Sequence, residues 1–363
     1  MLKKPIGFIF SFMLIILIVS GCGAKPTVED RSIEVSGGTE DQEIEGSQQE
    51  SDTNNLEEDL SDDADSPLVT GIYAPLTGLP VVEEINDRII GVLINNHNKA
   101  RPQSGLNQAD IIYEVLAEAR ITRFIAFYQS NKPEVIGPIR SIRPYYLDII
   151  NGFDALIVHS GGSDEAYATI FSDNSLPDLD EIRRAQEAYW RVNFREMPHN
   201  LYTSTEKIIA AADKRGFLKK SYIPKFIFLK ESQPVNGEIL NEVEIAYSPD
   251  YRVAFQYDST TKLYQRLING LPHVDLETNE QLTAKNILVI EAKHQIIDSV
   301  GRRKIDVYGP GSGKLIQNGE AKDITWQRVD GVIRAFIDGE EQGLYPGQTW
   351  IIVVDSNTKL TYK

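Results

Sequence analysis

Three polar segments carry most of the side chains able to do chemistry. They are Asn95-Asn96-His97-Asn98-Lys99-Ala100-Arg101-Pro102-Gln103-Ser104, then Pro138-Ile139-Arg140-Ser141-Ile142-Arg143-Pro144, then His159-Ser160-Gly161-Gly162-Ser163. Arg101, Arg123, Arg140 and Arg143, with Arg195 further on, supply guanidinium forks that suit a carboxylate or a phosphate. Gln103, Asn96 and His159 would orient such an anion, with His199 nearby and Tyr145, Tyr146 or Trp190 as an aromatic wall. Asp110, Glu114 and Glu118 also stand ready as partners for the same arginines. A structural ion-pair network and an anion site are therefore open alternatives.

Catalytic arrangements are thinner. Ser160 beside His159, with His199 and Glu114 as further candidates, would make a nucleophile and base for a cell-wall hydrolase. The segment lacks the glycine two residues before the serine that a nucleophile elbow requires. Glu114 and Glu118 resemble the paired acids of glycan cleavage, which stand about 5–9.5 Å apart. Asp110–Leu116 is rich enough in β-branched residues to read as a strand, and there the separation is about 13 Å. His97, His159 and His199 are spaced by 62 and 40 residues, without a ligand-spacing pattern, so no metal and no cofactor is expected. Ser204-Thr-Glu-Lys207 reads as part of a helix start with Thr203 and Glu206 as a capping box. Gly309-Pro-Gly-Ser-Gly-Lys314 is one residue short of a phosphate loop and reads as a β-turn.

These side chains need elements to position them. Ile89–Ile94, Val135–Gly137 and Ala155–Val158 are short apolar runs that stop at the three polar segments, Pro144 suits a first helical turn, and Ser163 suits an N-cap. If the runs are parallel strands, the polar segments share the sheet edge where open α/β sheets bind ligands. Up to about residue 220 the texture is α/β (or α+β) with a mainly parallel or mixed sheet. From Pro224 onward, alternating strands such as Val253–Tyr257, Ile287–Glu291, Val332–Ile337 and Trp350–Val354 indicate a small all-β domain.

Composition sets the boundaries. Lys3-Lys4, an apolar run from Ile6 to Val19 and the small residues before Cys22, the sole cysteine of 363 residues, read as an export and lipidation signal over residues 1–22. The run falls short of the roughly 20 residues that span a bilayer. Glu29–Asp65 holds fifteen acids and one arginine, so residues 23–66 read as a disordered acidic linker. As a flexible coil it would span on the order of 35–40 Å. Of the net charge of −16 this tail supplies −14 and Lys3, Lys4 and Lys25 supply +3, which leaves −5 for residues 67–363. That mild acidity, with no basic stripe, argues against a nucleic-acid partner. The remaining 297 residues suit two domains, 67–223 and 224–363, and a lone cysteine leaves each to its own packing.

Asn95-Asn96, Ala100–Leu106, Gln108–Glu114, Thr122-Arg123-Phe124, Gly137–Pro144, His159–Ser163 and Pro198-His-Asn-Leu-Tyr202 together resemble the YerB-type lipoproteins, from about Pro75 to the end of the chain. The resemblance implies an α/β first part, a distinct carboxyl-terminal domain and a membrane location, but no reaction. Ala119-Arg120 stands where relatives often carry a Gly-Gly turn, which puts that turn in question. The expectation is a lipoprotein anchored to the bilayer through Cys22 on the extracytoplasmic face, binding a polar or anionic envelope ligand. A wall hydrolase, or a protein-interaction lipoprotein using the β domain, are the alternatives.

Overall fold

The computed structural model describes residues 71–219 and 221–363, so Cys22 and the acidic linker lie outside the described residues. Ile90–Asn95 (β1), Ile111–Leu116 (β2) and Thr122–Tyr128 (β3) are buried along their whole length. Burial on both faces is why β1 opens as an unbroken apolar run and why the polar residues of β2 and β3, Glu114 and Arg123, need buried partners. Pro144–Asn151 (α1) starts on its proline. Leu156–His159 (β4) leads to Asp164–Ser172 (α2), whose Ser163 cap accepts the Ala166 N–H at 3.3 Å. Asp178–Asp180 (β5) and Thr205–Asp213 (α3) complete this region. The cap of α3 is Ser204, which accepts the Lys207 N–H at 3.2 Å, one residue later than the expected Thr203.

The rest is β structure. Its strands are Glu242–Ser248 (β6), Tyr251–Asp258 (β7), Leu263–Ile268 (β8), Asn286–Glu291 (β9), Gly311–Gln317 (β10), Glu320–Val329 (β11), Val332–Ile337 (β12), Thr349–Val354 (β13) and Lys359–Tyr362 (β14). The largest sheet runs β12-β11-β10-β9-β13-β2-β3-β1-β4-β5, and β8-β7-β6-β14 form a smaller one. The sheet is mixed, as expected for the first region: β1 pairs β4 in parallel and β3 antiparallel.

The expectation that each half packs by itself is not met. β13, near the end of the chain, lies in parallel register between β9 and β2, with Ile112 opposite Trp350 and Glu114 opposite Ile352. One sheet thus crosses from the first half into the second, and the described residues all belong to one compact unit with a continuous apolar core. Trp350 seals the junction, edge-on to Phe124 and to Phe255 with ring centres 5.6 Å apart in each case.

Inside this core sits an ion pair. Glu114 Oε2 accepts from the Arg266 guanidinium at 2.8 Å, and both side chains are 0% exposed. The other carboxylate oxygen accepts from Tyr251 and Thr122 hydroxyls, each at 2.8 Å. Arg266 lies 4.5 Å from the Trp350 ring centre and 5.0 Å from that of Phe255, and its Nε donates to His273 Nδ1 at 3.0 Å. Removing one member of a buried pair strands the other charge, which costs about 3–5 kcal/mol. Arg266→Met should lower unfolding free energy by that amount in denaturant titrations, while adding Glu114→Gln to it should restore a large part of the loss.

Candidate functional site

The carboxyl ends of β1 and β4 are laced to the segment between them. Asn95 N–H donates to Pro138 O and Arg140 N–H to Leu93 O, each at 2.8 Å, while Ser160 N–H reaches Arg140 O at 3.1 Å and Ile142 N–H reaches Gly161 O at 2.9 Å. The three polar segments therefore do meet at one edge. Val135–Gly137 is not a strand of the sheet; it attaches through single bridges, Ile136 to Thr203 and Gly137 to Ser104.

Two histidines mark the site's mouth. His97 and His199 stack with ring centres 4.7 Å apart, and Asn95 Nδ2 holds His199 Nδ1 at 2.9 Å. His199 arrives on the hairpin formed by Tyr189–Arg191 and Leu201–Thr203. Burial lowers the pKa of His97, helped by Arg101, Lys99 and Arg140. Burial, His97 and Arg140 do the same for His199. Only burial and positive or imidazole neighbours act on the two rings, so both imidazoles are neutral near pH 7.

Most of the arginines are committed elsewhere. Arg101 donates through Nε to Asn96 Oδ1 at 2.9 Å and lies 4.5 Å over the Tyr251 ring. Arg195 reaches Ala100 O at 2.9 Å and Tyr202 Oη at 2.6 Å. Arg123 and Arg143 both pair with Glu118. Burial opposes that carboxylate's charge, yet the two guanidinium groups hold its pKa below the ordinary value. Of the five, only Arg140 has neither a hydrogen bond nor an ion pair for its side chain among the described residues. Burial and the neighbouring Arg123 disfavour its charge, and Glu118 compensates in part.

Several expected site residues face inward instead. Asn96 and Gln103 are buried: Gln103 donates to Asn96 Oδ1 at 3.0 Å, and Asn96 Nδ2 donates to Tyr251 Oη at 2.6 Å and Thr122 Oγ1 at 2.7 Å. They position Arg101 and leave no polar atom for a ligand. His159 is likewise buried, with Nε2 on Asp178 at 2.7 Å and Nδ1 on Gly161 O at 2.9 Å. Ser160 donates to Glu181 at 2.8 Å, so His159 and Ser160 form no nucleophile–base pair. Glu114 is locked on Arg266 and Glu118 on two arginines, so neither is a free acid for glycan cleavage. Tyr145 and Tyr146 are buried with their hydroxyls on Leu116 O at 3.0 and 3.3 Å. The half-buried Trp190 stacks on Tyr202 at 6.5 Å. Ala119 accepts a positive φ of 50°, so the turn survives where the resemblance put it in question, and Arg120 donates to Tyr247 O at 2.7 Å.

His97, Asn95 and Lys99 belong to the site but were not among the expected ligand-binding residues. Their signal was the abrupt change from apolar to polar at the end of β1. A small cavity of about 230 Å³ adjoins, lined by Asn96, His97, Arg101, Arg120, Asp250 and Tyr251. Among the described residues no group of three or more His, Cys, Asp or Glu side chains is placed to hold a metal.

Both exposed-edge imidazoles take up protons more readily in the unfolded chain, so they subtract stability as pH falls below their ordinary 6.5. His273, pushed well below that value by burial, adds to the same loss. In Arg140→Ala, the NMR titration midpoints of His97 and His199 should both move upward.

Residues 76–218 match the N-terminal domain, and residues 243–351 the C-terminal domain, of a protein family of unknown function, DUF3048. The chain is 38% identical over 288 residues to a protein of Bacillus subtilis (strain 168) named putative lipoprotein YerB, covering 78% of this chain and 86% of that one. It is also similar to the crystal structure of YerB protein from Bacillus subtilis, with a TM-score of 0.73 and 37% identity, over 80% of this chain and 99% of that one. On sequence and fold together, this chain belongs to the YerB-type DUF3048 family.

Proposed function

We propose that this protein is a lipid-anchored, extracytoplasmic binding protein that holds an anionic cell-envelope component, such as a wall peptide or glycan, at the mouth formed by Arg140, His97 and His199. Arg140 is the observation that carries the reading. A half-buried guanidinium without a partner among the described residues, flanked by Arg123 and two imidazoles, is stabilised by an incoming carboxylate or phosphate far more than a paired one would be. Arg101, Arg123, Arg143 and Arg195 shape the mouth through the contacts already described. Lys99, on the rim, draws anions toward it.

The anchor rests on the pattern around Cys22 and on the relative's name. No helix among the described residues is long and apolar enough to cross a membrane, and one lipidated terminus anchors a chain without one. Cys22→Ala should move the protein from the membrane fraction of cells to the soluble or secreted fraction.

An anion bound at the mouth raises the pKa of both imidazoles, so binding takes up protons. Affinity for purified wall fragments, or for inorganic phosphate as a minimal probe, should increase as pH is lowered through the histidine range. Arg140→Ala should weaken that binding by about tenfold or more, the worth of one charged hydrogen bond, without a change in melting temperature. Unchanged affinity in this variant, measured calorimetrically, would remove the reading's main support.

A further inference from the structure

The antiparallel pair His294–Ile296 and Arg303–Ile305 forms a two-stranded arm of its own, outside the two larger sheets. Its end exposes Ile296 by 60%, Ile297 by 47% and Val300 by 67%. Single exposed aliphatic residues are ordinary; here three fall within five positions. The surrounding charge is unusual for this chain. Residues 293–304 contain Lys293, Arg302, Arg303 and Lys304 against the single acid Asp298, a net +3 in a folded region of net −5, and Asp148, Glu165 and Asp306 line the same concavity as Lys293 and Lys304.

Asp298 is spent inside the turn. It accepts the Val300 and Arg302 N–H groups at 3.0 Å each and pairs with the Arg302 side chain. Lys293 and Lys304 are exposed, and their side chains have no hydrogen bond or ion pair among the described residues. The arm is also held in place, because Ala119 N–H donates to Gly301 O at 3.0 Å and Arg303 lies 3.8 Å from Asp355. Gly301 has φ +84°, and a Cβ there would lie 3.0 Å from Ala119 N, so glycine is what allows this seating.

We infer that the arm is a membrane-contact element, which lays Ile296, Ile297 and Val300 into the headgroup layer of an anionic bilayer while Lys293 and Lys304 meet lipid phosphates. Aliphatic side chains beside unpaired lysines match the interface of an anionic leaflet in both polarity and charge. A stable protein partner usually needs about 1,200–2,000 Å² of buried surface, more than three aliphatic tips provide. The assignment does not use Arg140 or the histidine stack, and goes beyond the anion-binding reading.

The test is cosedimentation of residues 64–363, which lack the apolar leader and contain the whole described core, with phospholipid vesicles. Phosphatidylglycerol vesicles should bind the protein, less so at high salt, and phosphatidylcholine vesicles should not. Ile296→Ser with Val300→Ser should weaken binding by about tenfold or more, and Lys293→Glu with Lys304→Glu should abolish the preference for anionic lipid. Because these side chains are exposed, melting temperatures should match the parent protein. Arg140→Ala should bind vesicles as the parent does. The inference is overturned if the parent fails to bind phosphatidylglycerol, if either double variant binds undiminished, or if Arg140→Ala loses vesicle binding as the arm variants do.

Discussion

The buried contact between Glu114 and Arg266 is the constraint on which the two halves of this fold turn. Glu114 sits in the middle of a strand otherwise made of core residues, and Arg266 comes from the smaller sheet, 152 positions later. Each charge would be costly alone in an apolar interior. Together, with the Tyr251 and Thr122 hydroxyls on one side and the Trp350 and Phe255 rings on the other, they tie the smaller sheet to the larger in one register. A carboxylate with all its acceptors engaged and a guanidinium held between rings admit few alternative packings.

From that pair a chain of polar contacts runs outward to the surface. Arg266 holds His273, which meets Gln103 Oε1 at 2.8 Å; Gln103 holds Asn96, and Asn96 holds Arg101. Because His273 Nδ1 accepts from Arg266, its Nε2 carries the proton and donates to Gln103, and the low pKa of the ring keeps that arrangement neutral. The position of Arg101 at the edge of the small cavity is therefore set by residues from both halves of the chain. Asn96 and Gln103 matter to the site as supports.

The mouth itself shows how charge is divided between structure and binding. Glu118 absorbs Arg123 and Arg143, carbonyl oxygens absorb Arg195, and Asn96 with the Tyr251 ring absorbs Arg101. What remains is a small excess of positive potential around Arg140 and two neutral imidazoles, in a folded region that is mildly acidic as a whole. An excess in one place, with structural arginines enclosing it, is what the proposed anion site rests on. Of the two alternatives posed from sequence, the ion-pair network is present in Arg123, Arg143 and Glu118, and Arg140 is what remains for the anion site proposed above.

Local physics made much of this legible before any coordinates. Unbroken apolar runs identify β1 and β4, because strands buried on both faces have no polar side to show. Pro144 and Ser163 mark helix starts, because each suits the unpaired backbone groups of a first turn. The polar stops after those strands locate the edge where the site forms. What composition and spacing leave undecided is partnership, which depends on residues far apart in the chain. Whether Arg140 or Arg143 is free depends on where Glu118 points. Whether His159 opens to water or is sealed on Asp178 depends on how β4 packs against β5. The insertion of β13 between β9 and β2 makes one sheet of two sequence regions, because hydrogen-bonding edges that look independent along the chain can be completed only by each other in space.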